Sequence, residues 1–346
     1  MRLINWEPIL NVKDFSLAAN SMSCPFAKEK TLFFAYGRTA LLQALKVLNI
    51  KKGENVLLPS YICNVVLAPF NHLDIEIKYF QVDTQLNPRL EQIEAGIDKN
   101  TRAVLAVNYF GFSTCSEEIK KICQKHNLFF IEDNAHGFLS SDGNQPLGTS
   151  GDISIFSMRK MLGTPNGAAL VINNDKLNLD NTDLNLSKSC DFLYSLRQVN
   201  QYLAFFTGID LRNALKRLFG IKRFIPAKEN SKEEYSIKEY LVKQSGLTKL
   251  LMRRVKIQNV AARRRNGFNY WLKHLPEGEP VFTKLTEGIV PYVFPVRTAD
   301  PDGFCRRMLL NRIECYPWPV LPACLKGYPE FYGQIVTIPL WSNYGS

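Results

Sequence analysis

Two side chains in this sequence have the types and the setting to work on one flat ligand. Lys160 closes the run Ile153-Ser154-Ile155-Phe156-Ser157-Met158-Arg159-Lys160, an apolar strand-like stretch and its exit. Upstream, a second apolar run ends in Glu132-Asp133-Asn134-Ala135-His136. A carboxylate and a lysine at the ends of separate buried strands can grip the two ends of a pyridine aldehyde. Pyridoxal 5'-phosphate (PLP) requires such a pair, an acid beside its ring nitrogen and an amine on its aldehyde carbon. A lysine that forms a Schiff base must also shed its proton near neutral pH, which desolvation promotes. Solvated strand-end charges use the same residue types, so the neighbouring segments have to decide.

Those neighbours extend the candidate site. Asp133 is the partner expected for the ring nitrogen. His136 is placed to hydrogen-bond the ring's phenolic oxygen or to stack on the ring; a satisfied structural histidine is the alternative. Lys160 is expected to serve as Schiff-base lysine and then as general acid and base. Ser157 is a candidate phosphate ligand, Arg159 reads as a solvent-facing or subunit-facing charge, and Glu132 reads as structural. Tyr36-Gly37-Arg38-Thr39-Ala40 precedes the first long helical pattern. Gly37 permits close backbone approach, free amides at a helix start attract phosphate, and Thr39 offers a hydroxyl. An ordinary helix start has the same appearance.

The elements that must position these groups alternate over residues 30 to 175. Leu41, Leu42, Leu45 and Leu48 share a helical face, and Val56 to Leu58 reads as a short buried strand ending at Pro59. A strand over Ile75 to Val82, a helix over Pro88 to Ile97 and a strand over Ala103 to Phe110 follow. Next come a helix over Glu117 to His126 and a strand over Leu128 to Ile131. Ile153 to Phe156 and Ala168 to Ile172 read as two more strands, joined through Gly163, Pro165 and Asn166-Gly167. Such alternation predicts an α/β domain with a mostly parallel sheet, whose ligands bind beyond the carboxyl ends of the strands. A large domain is expected over residues 1–245, with its core in 30–175 and a helical or linker segment in 176–245. A smaller C-terminal α/β domain is expected over 246–346, opening on one long basic helix through residue 275.

Composition bounds the alternatives. At 46% hydrophobic and 12% aromatic over 346 residues, the chain supports a sizeable core rather than disorder. No charge-free apolar run reaches the ~18 residues of a membrane span, and charge and proline interrupt Met1 to Pro8 too early for a secretory signal. Eight cysteines without a CxxC pair suggest reduced thiols and a cytoplasmic protein, with no zinc or other metal site expected. The net charge is +11, with basic pairs concentrated at Lys216-Arg217, Lys222-Arg223, Arg253-Arg254 and Arg263-Arg264-Arg265. A solvated helix face, an anionic substrate or an acidic membrane surface would each account for them. No zinc-finger spacing or RNA-binding signature points to nucleic acid.

Taken in order, several segments carry a more specific likeness. They are Tyr36 to Leu41, Gly53 to Ser60, Asn108-Tyr109-Phe110-Gly111, Ile131 to His136, Leu147 to Asp152 and Phe156 to Lys160. Together they resemble the DegT/StrS sugar-aminotransferase family of fold-type I PLP-dependent enzymes, with a weaker likeness at Arg264-Arg265-Asn266 and Ile335 to Leu340. The resemblance implies PLP as cofactor and a homodimer with shared active sites. It implies transfer of an amino group from glutamate or glutamine to a keto sugar, usually nucleotide-linked. It places Asp133 at the ring nitrogen, His136 against the cofactor, Lys160 in the Schiff base, and Gly37, Arg38 and Thr39 on the phosphate loop. Cys63 stands where the family often has a stacking aromatic, with Tyr61 nearby, and both are counted as cofactor-binding. The family's Asn-Tyr-Arg segment is not recognisable between 176 and 245, and the acceptor pocket is expected to draw on that stretch and on Cys315-Tyr316-Pro317-Trp318. Dehydratase relatives replace the lysine with histidine, so Lys160 favours transamination over elimination. A non-catalytic binding or regulatory member is the third reading.

Overall fold

The computed structural model describes residues 30–177, 240–325 and 327–340, together with 4, 8, 14–16 and 186. The expected segment 176–245 therefore lies for the most part outside the described residues, with the basic pairs at 216–217 and 222–223. The first part contains β1 (Thr31–Phe34), α1 (Gly37–Val47), β2 (Asn55–Pro59), α2 (Leu67–His72), β3 (Glu76–Phe80), α3 (Leu90–Gly96) and β4 (Thr101–Val107). It continues with α4 (Ser116–Lys125), β5 (Phe129–Asn134), β6 (Ser141–Asp142), β7 (Gln145–Pro146), β8 (Ile153–Phe156), α5 (Met158–Leu162) and β9 (Ala168–Ile172). After residue 240 come α6 (Gly246–Arg254), α7 (Ile257–His274), β10 (Glu279–Pro280), β11 (Val293–Arg297), α8 (Pro301–Leu310), β12 (Tyr316–Pro317) and β13 (Ile335–Pro339).

Seven strands form one sheet in the order β1-β9-β8-β5-β4-β2-β3. The pairs β2–β3, β2–β4, β4–β5 and β5–β8 are parallel; β9 is antiparallel to both β8 and β1. Strands β2, β8 and β9 are buried along their whole length, as expected of strands covered on both faces. Helix α1 buries Leu41 and Leu45 in the core shared with this sheet and Leu42 beside Ala68 of α2, and Leu48 beyond its end is buried too. A second, antiparallel sheet runs β10-β11-β13-β12.

Three boundaries differ from the sequence reading for physical reasons. β5 does not stop before the acidic pair: Glu132 pairs with Ala106, and Asp133 with Val107 and Ile155. Hydrogen bonds take up the Glu132 carboxylate and one oxygen of Asp133, so the ladder continues through both residues. α3 starts at Leu90, because Pro88 is held in a bridge with Val82. The expected basic helix over 246–275 is two helices. Ser245 caps α6 by accepting from the Thr248 amide. Val255 then turns extended, is buried and bridges Phe15, and α7 restarts from Lys256.

One loop packs tightly enough to be tested. Gly148 has φ +91°, and a Cβ there would sit 2.2 Å from Phe156 Cζ. Phe156 is buried at the end of β8, next to the exit that carries Lys160. Gly148→Ala combines a left-handed backbone with an overpacked core and is expected to cost about 2–4 kcal/mol. Urea unfolding measures it; an unchanged midpoint would contradict the close approach.

Candidate active site

The carboxyl ends of β5 and β8 and the start of α1 converge on one cleft. Gly37, Arg38, Cys63, Tyr109, Asp133, His136, Ser157, Arg159, Lys160 and Trp318 are among its lining residues. Asp133 is near the end of β5, and Lys160 is in the short helix α5 that leaves β8. The αL residue Gly163 ends α5 (φ 64°) and returns an amide to the Arg159 carbonyl.

Lys160 Nζ lies 3.0 Å from His136 Nε2. The Phe110 amide donates to His136 Nδ1 at 3.2 Å. One Asp133 oxygen accepts from the Ala135 amide at 2.9 Å. Burial pushes the Asp133 carboxyl up, opposed by the Lys160 charge and the Ala135 hydrogen bond. Burial pushes the Lys160 amine down, opposed by Asp133, and holds His136 well below the usual imidazole range. Desolvation thus favours a neutral amine beside a neutral imidazole.

That bias has a consequence for reactivity. Lys160 is expected to react with an acylating reagent at a pH where ordinary lysines, with pKa near ~10.4, remain protonated. Mass spectrometry of the acylation–pH profile, with exposed Lys52 as internal comparison, reads the difference. Coincident profiles would contradict it.

Glu132 has a different task. Its carboxylate is buried and accepts from the amides of Ser150 (2.9 Å) and Gly151 (2.7 Å), and from Ser154 Oγ at 3.4 Å. It clamps the loop ahead of β8, as a structural carboxylate would.

Most of the sequence-nominated residues meet at the cleft: Gly37, Arg38, Cys63, Asp133, His136, Ser157 and Lys160. Tyr36, the N-cap of α1, makes no side-chain cap hydrogen bond. A Cβ on Gly37 would lie 3.9 Å from Ser157 Cβ, so that helix start faces the start of α5. The Arg38 guanidinium stacks 3.7 Å from the Tyr240 ring centroid. Two nominations are corrected. Thr39 is buried and donates its hydroxyl to the Tyr240 carbonyl at 2.5 Å, so it offers the cleft no donor. Tyr61 is also buried; its hydroxyl donates to the Trp318 carbonyl at 2.6 Å, and its ring packs on Tyr109, Trp318 and Tyr332. Cys63 holds the cleft wall that Tyr61 leaves.

Sequence reasoning missed two contributors from the later part of the chain. Tyr292 stacks on His136 with centroids 4.8 Å apart. Arg264 is buried on α7 and donates to the carbonyls of Tyr292 (2.5 Å), Met161 (2.8 Å) and Lys160 (3.4 Å). It thereby covers carbonyls of α5 and holds Tyr292 in place. The available signal was helical spacing, since Val260, Arg264 and Phe268 share the buried face of α7. The run of three arginines is not one solvated face. Arg263 pairs with Asp14, Arg264 is internal, and Arg265 donates to the carbonyls of Thr286 and Ile289.

With this geometry, residues 26–190 match the model of the DegT/DnrJ/EryC1/StrS aminotransferase family. Those residues, just under half of the chain, fit the pattern of that family. Among curated relatives it is 32% identical over 149 residues to GDP-perosamine synthase of Escherichia coli O157:H7, covering 40% of this chain and 39% of that protein. It is 24% identical over 161 residues to GDP-4-keto-6-deoxy-D-mannose 3-dehydratase of Escherichia coli O55:H7, covering 44% and 42%. The matches thus span about two fifths of the length of these relatives. The structure resembles a Streptococcus pneumoniae protein described as a sugar aminotransferase and solved in its PLP form. Its TM-score is 0.67 at 14% identity, covering 99% of this chain and 95% of that one. This likeness establishes the fold, an α/β architecture with a mostly parallel central sheet.

Proposed function

We propose that this chain is a PLP-dependent aminotransferase of the DegT/DnrJ/EryC1/StrS family. It would carry an amino group from an amino-acid donor, glutamate or glutamine, to a keto sugar linked to a nucleotide. The observation that carries this reading is the meeting of Lys160, Asp133 and His136 in one cleft, with the uncapped start of α1 beside Ser157.

The residues present suit the cofactor. The buried Asp133 carboxylate has one oxygen held by Ala135, leaving the other to meet a protonated ring nitrogen. The first amides of α1 and the Ser157 hydroxyl would take the phosphate. His136 would donate to the ring's phenolic oxygen, with Cys63 on the cleft wall. When bound, PLP supplies an electron sink for the substrate's α-carbon. Lys160 Nζ, favoured as a neutral amine by its burial, is the base that would take the α-proton of the amino donor and hand it on to the cofactor side. Asp133 keeps the ring nitrogen charged, and Arg264 holds the backbone of α5 under the lysine.

The dehydratase likeness motivates a second reading, elimination from a keto sugar. The family resemblance implies histidine in place of this lysine in dehydratases, so Lys160 favours transfer. The proposal includes a cytoplasmic homodimer with sites shared between subunits, and a division of the chain near residue 245. No helix among the described residues is long and apolar enough to cross a membrane.

The deciding experiment is an absorption spectrum of the PLP-incubated protein beside Lys160→Ala, before and after glutamate. A near-visible band that needs Lys160 and that glutamate discharges supports transamination. A band untouched by glutamate or glutamine, with turnover of a keto sugar alone, supports elimination. Absence of any Lys160-dependent band rejects the catalytic reading.

A further inference from the structure

His136 has both ring nitrogens engaged, and the two contacts are not independent. The Phe110 amide can only donate, so Nδ1 must accept its hydrogen bond. An imidazole whose Nδ1 is bare carries its proton on Nε2. That Nε2–H points at Lys160 Nζ, 3.0 Å away, and an amine that accepts a hydrogen bond must present a lone pair. A charged ammonium at Lys160 would set two donors against one imidazole or force the proton onto Nδ1, against the Phe110 amide.

The amide is aimed by an unusual backbone. Phe110 is left-handed at φ 55°, ψ 15° inside the turn Tyr109–Gly111, a conformation that is strained for a non-glycine residue. Its surroundings hold it there. The Phe110 carbonyl accepts from the Tyr292 amide at 2.8 Å. Its buried ring lies parallel to His136 (3°, centroids 5.6 Å apart) and edge-on to Trp318 at 5.0 Å. Tyr292 also lies nearly parallel to the imidazole, so the ring cannot swing Nδ1 away from the Phe110 amide without disturbing this packing.

We propose that the main-chain N–H of Phe110 is a positioning group that locks His136 as the Nε2–H tautomer. The lock makes the imidazole a fixed donor toward Lys160 and keeps Lys160 resting as the free amine. What His136 donates to once PLP is bound rests on the proposed function; the tautomer does not.

The test is NMR on the full-length, cofactor-free protein with ¹⁵N-labelled histidine. The chain has 4 histidines, and loss of one ring pattern in His136→Gln assigns the signal. Two-bond proton–nitrogen correlations at neutral pH should show Nε2 protonated and Nδ1 bare. Phe110→Gly keeps the N–H and tolerates positive φ, and it should leave that pattern in place although the ring is gone. A proton on Nδ1 in the wild-type protein, alone or with Nε2, overturns the proposal. Transfer of the proton to Nδ1 only in Phe110→Gly also overturns it, by assigning control to the ring instead. The wild-type pattern is decisive even where the variant does not fold. Protonated Nε2 with no Lys160-dependent PLP band would leave the lock standing and remove the aminotransferase reading.

Discussion

Lys160→Ala is expected to lower amino transfer on the order of 10⁴-fold, the upper range for removing a positioned general acid and base. The fold should survive, since the lysine's side chain hydrogen-bonds His136 at the cleft and its backbone contacts are unchanged by truncation. The deletion also leaves a space beside His136 Nε2 where a small amine fits. Added methylamine or ethylamine should restore part of the lost rate, which a merely misfolded variant would not show. Steady-state turnover with the wild-type amino donor, alongside circular dichroism, makes the comparison. Activity within ten-fold of wild type would remove Lys160 from the chemistry.

Asp133→Asn should cost less, on the order of 10²–10³-fold in turnover, as for loss of one preorganised electrostatic partner. Asparagine still accepts the Ala135 amide through its carbonyl oxygen, so the end of β5 should stay formed. The negative charge is what disappears. Because that charge opposes the burial of Lys160, its removal lowers the lysine's pKa further. The acylation–pH profile of Lys160 should therefore move to lower pH in Asp133→Asn even as catalysis falls. A profile that moves upward would mean that Asp133 does not act on Lys160 through its charge. An unimpaired rate would mean that the ring nitrogen needs no such partner.

Arg264 shows why some of this site escaped a linear reading. Its neighbours in sequence are two more arginines, and composition alone describes a basic surface. In the fold it is buried, and its hydrogen bonds reach carbonyls more than a hundred positions upstream at Lys160 and Met161. Thr39 and Tyr61 failed the opposite way. Both lie in segments that do form the cleft, yet each side chain turns to a carbonyl from a distant segment, Tyr240 or Trp318.

The sequence by itself determined the strand and helix alternation, because strands covered on both faces, such as β2, β8 and β9, are built on mainly apolar residues. It also determined which segments carry the acid and the lysine, although the fold carried β5 through the acidic pair and set Lys160 in the helix after β8. Only the tertiary structure decided where side chains point and what protonation they hold. Side-chain direction depends on partners far away in sequence, such as Tyr292 and Trp318 around His136. Protonation depends on desolvation, which no single segment produces until the others close over it.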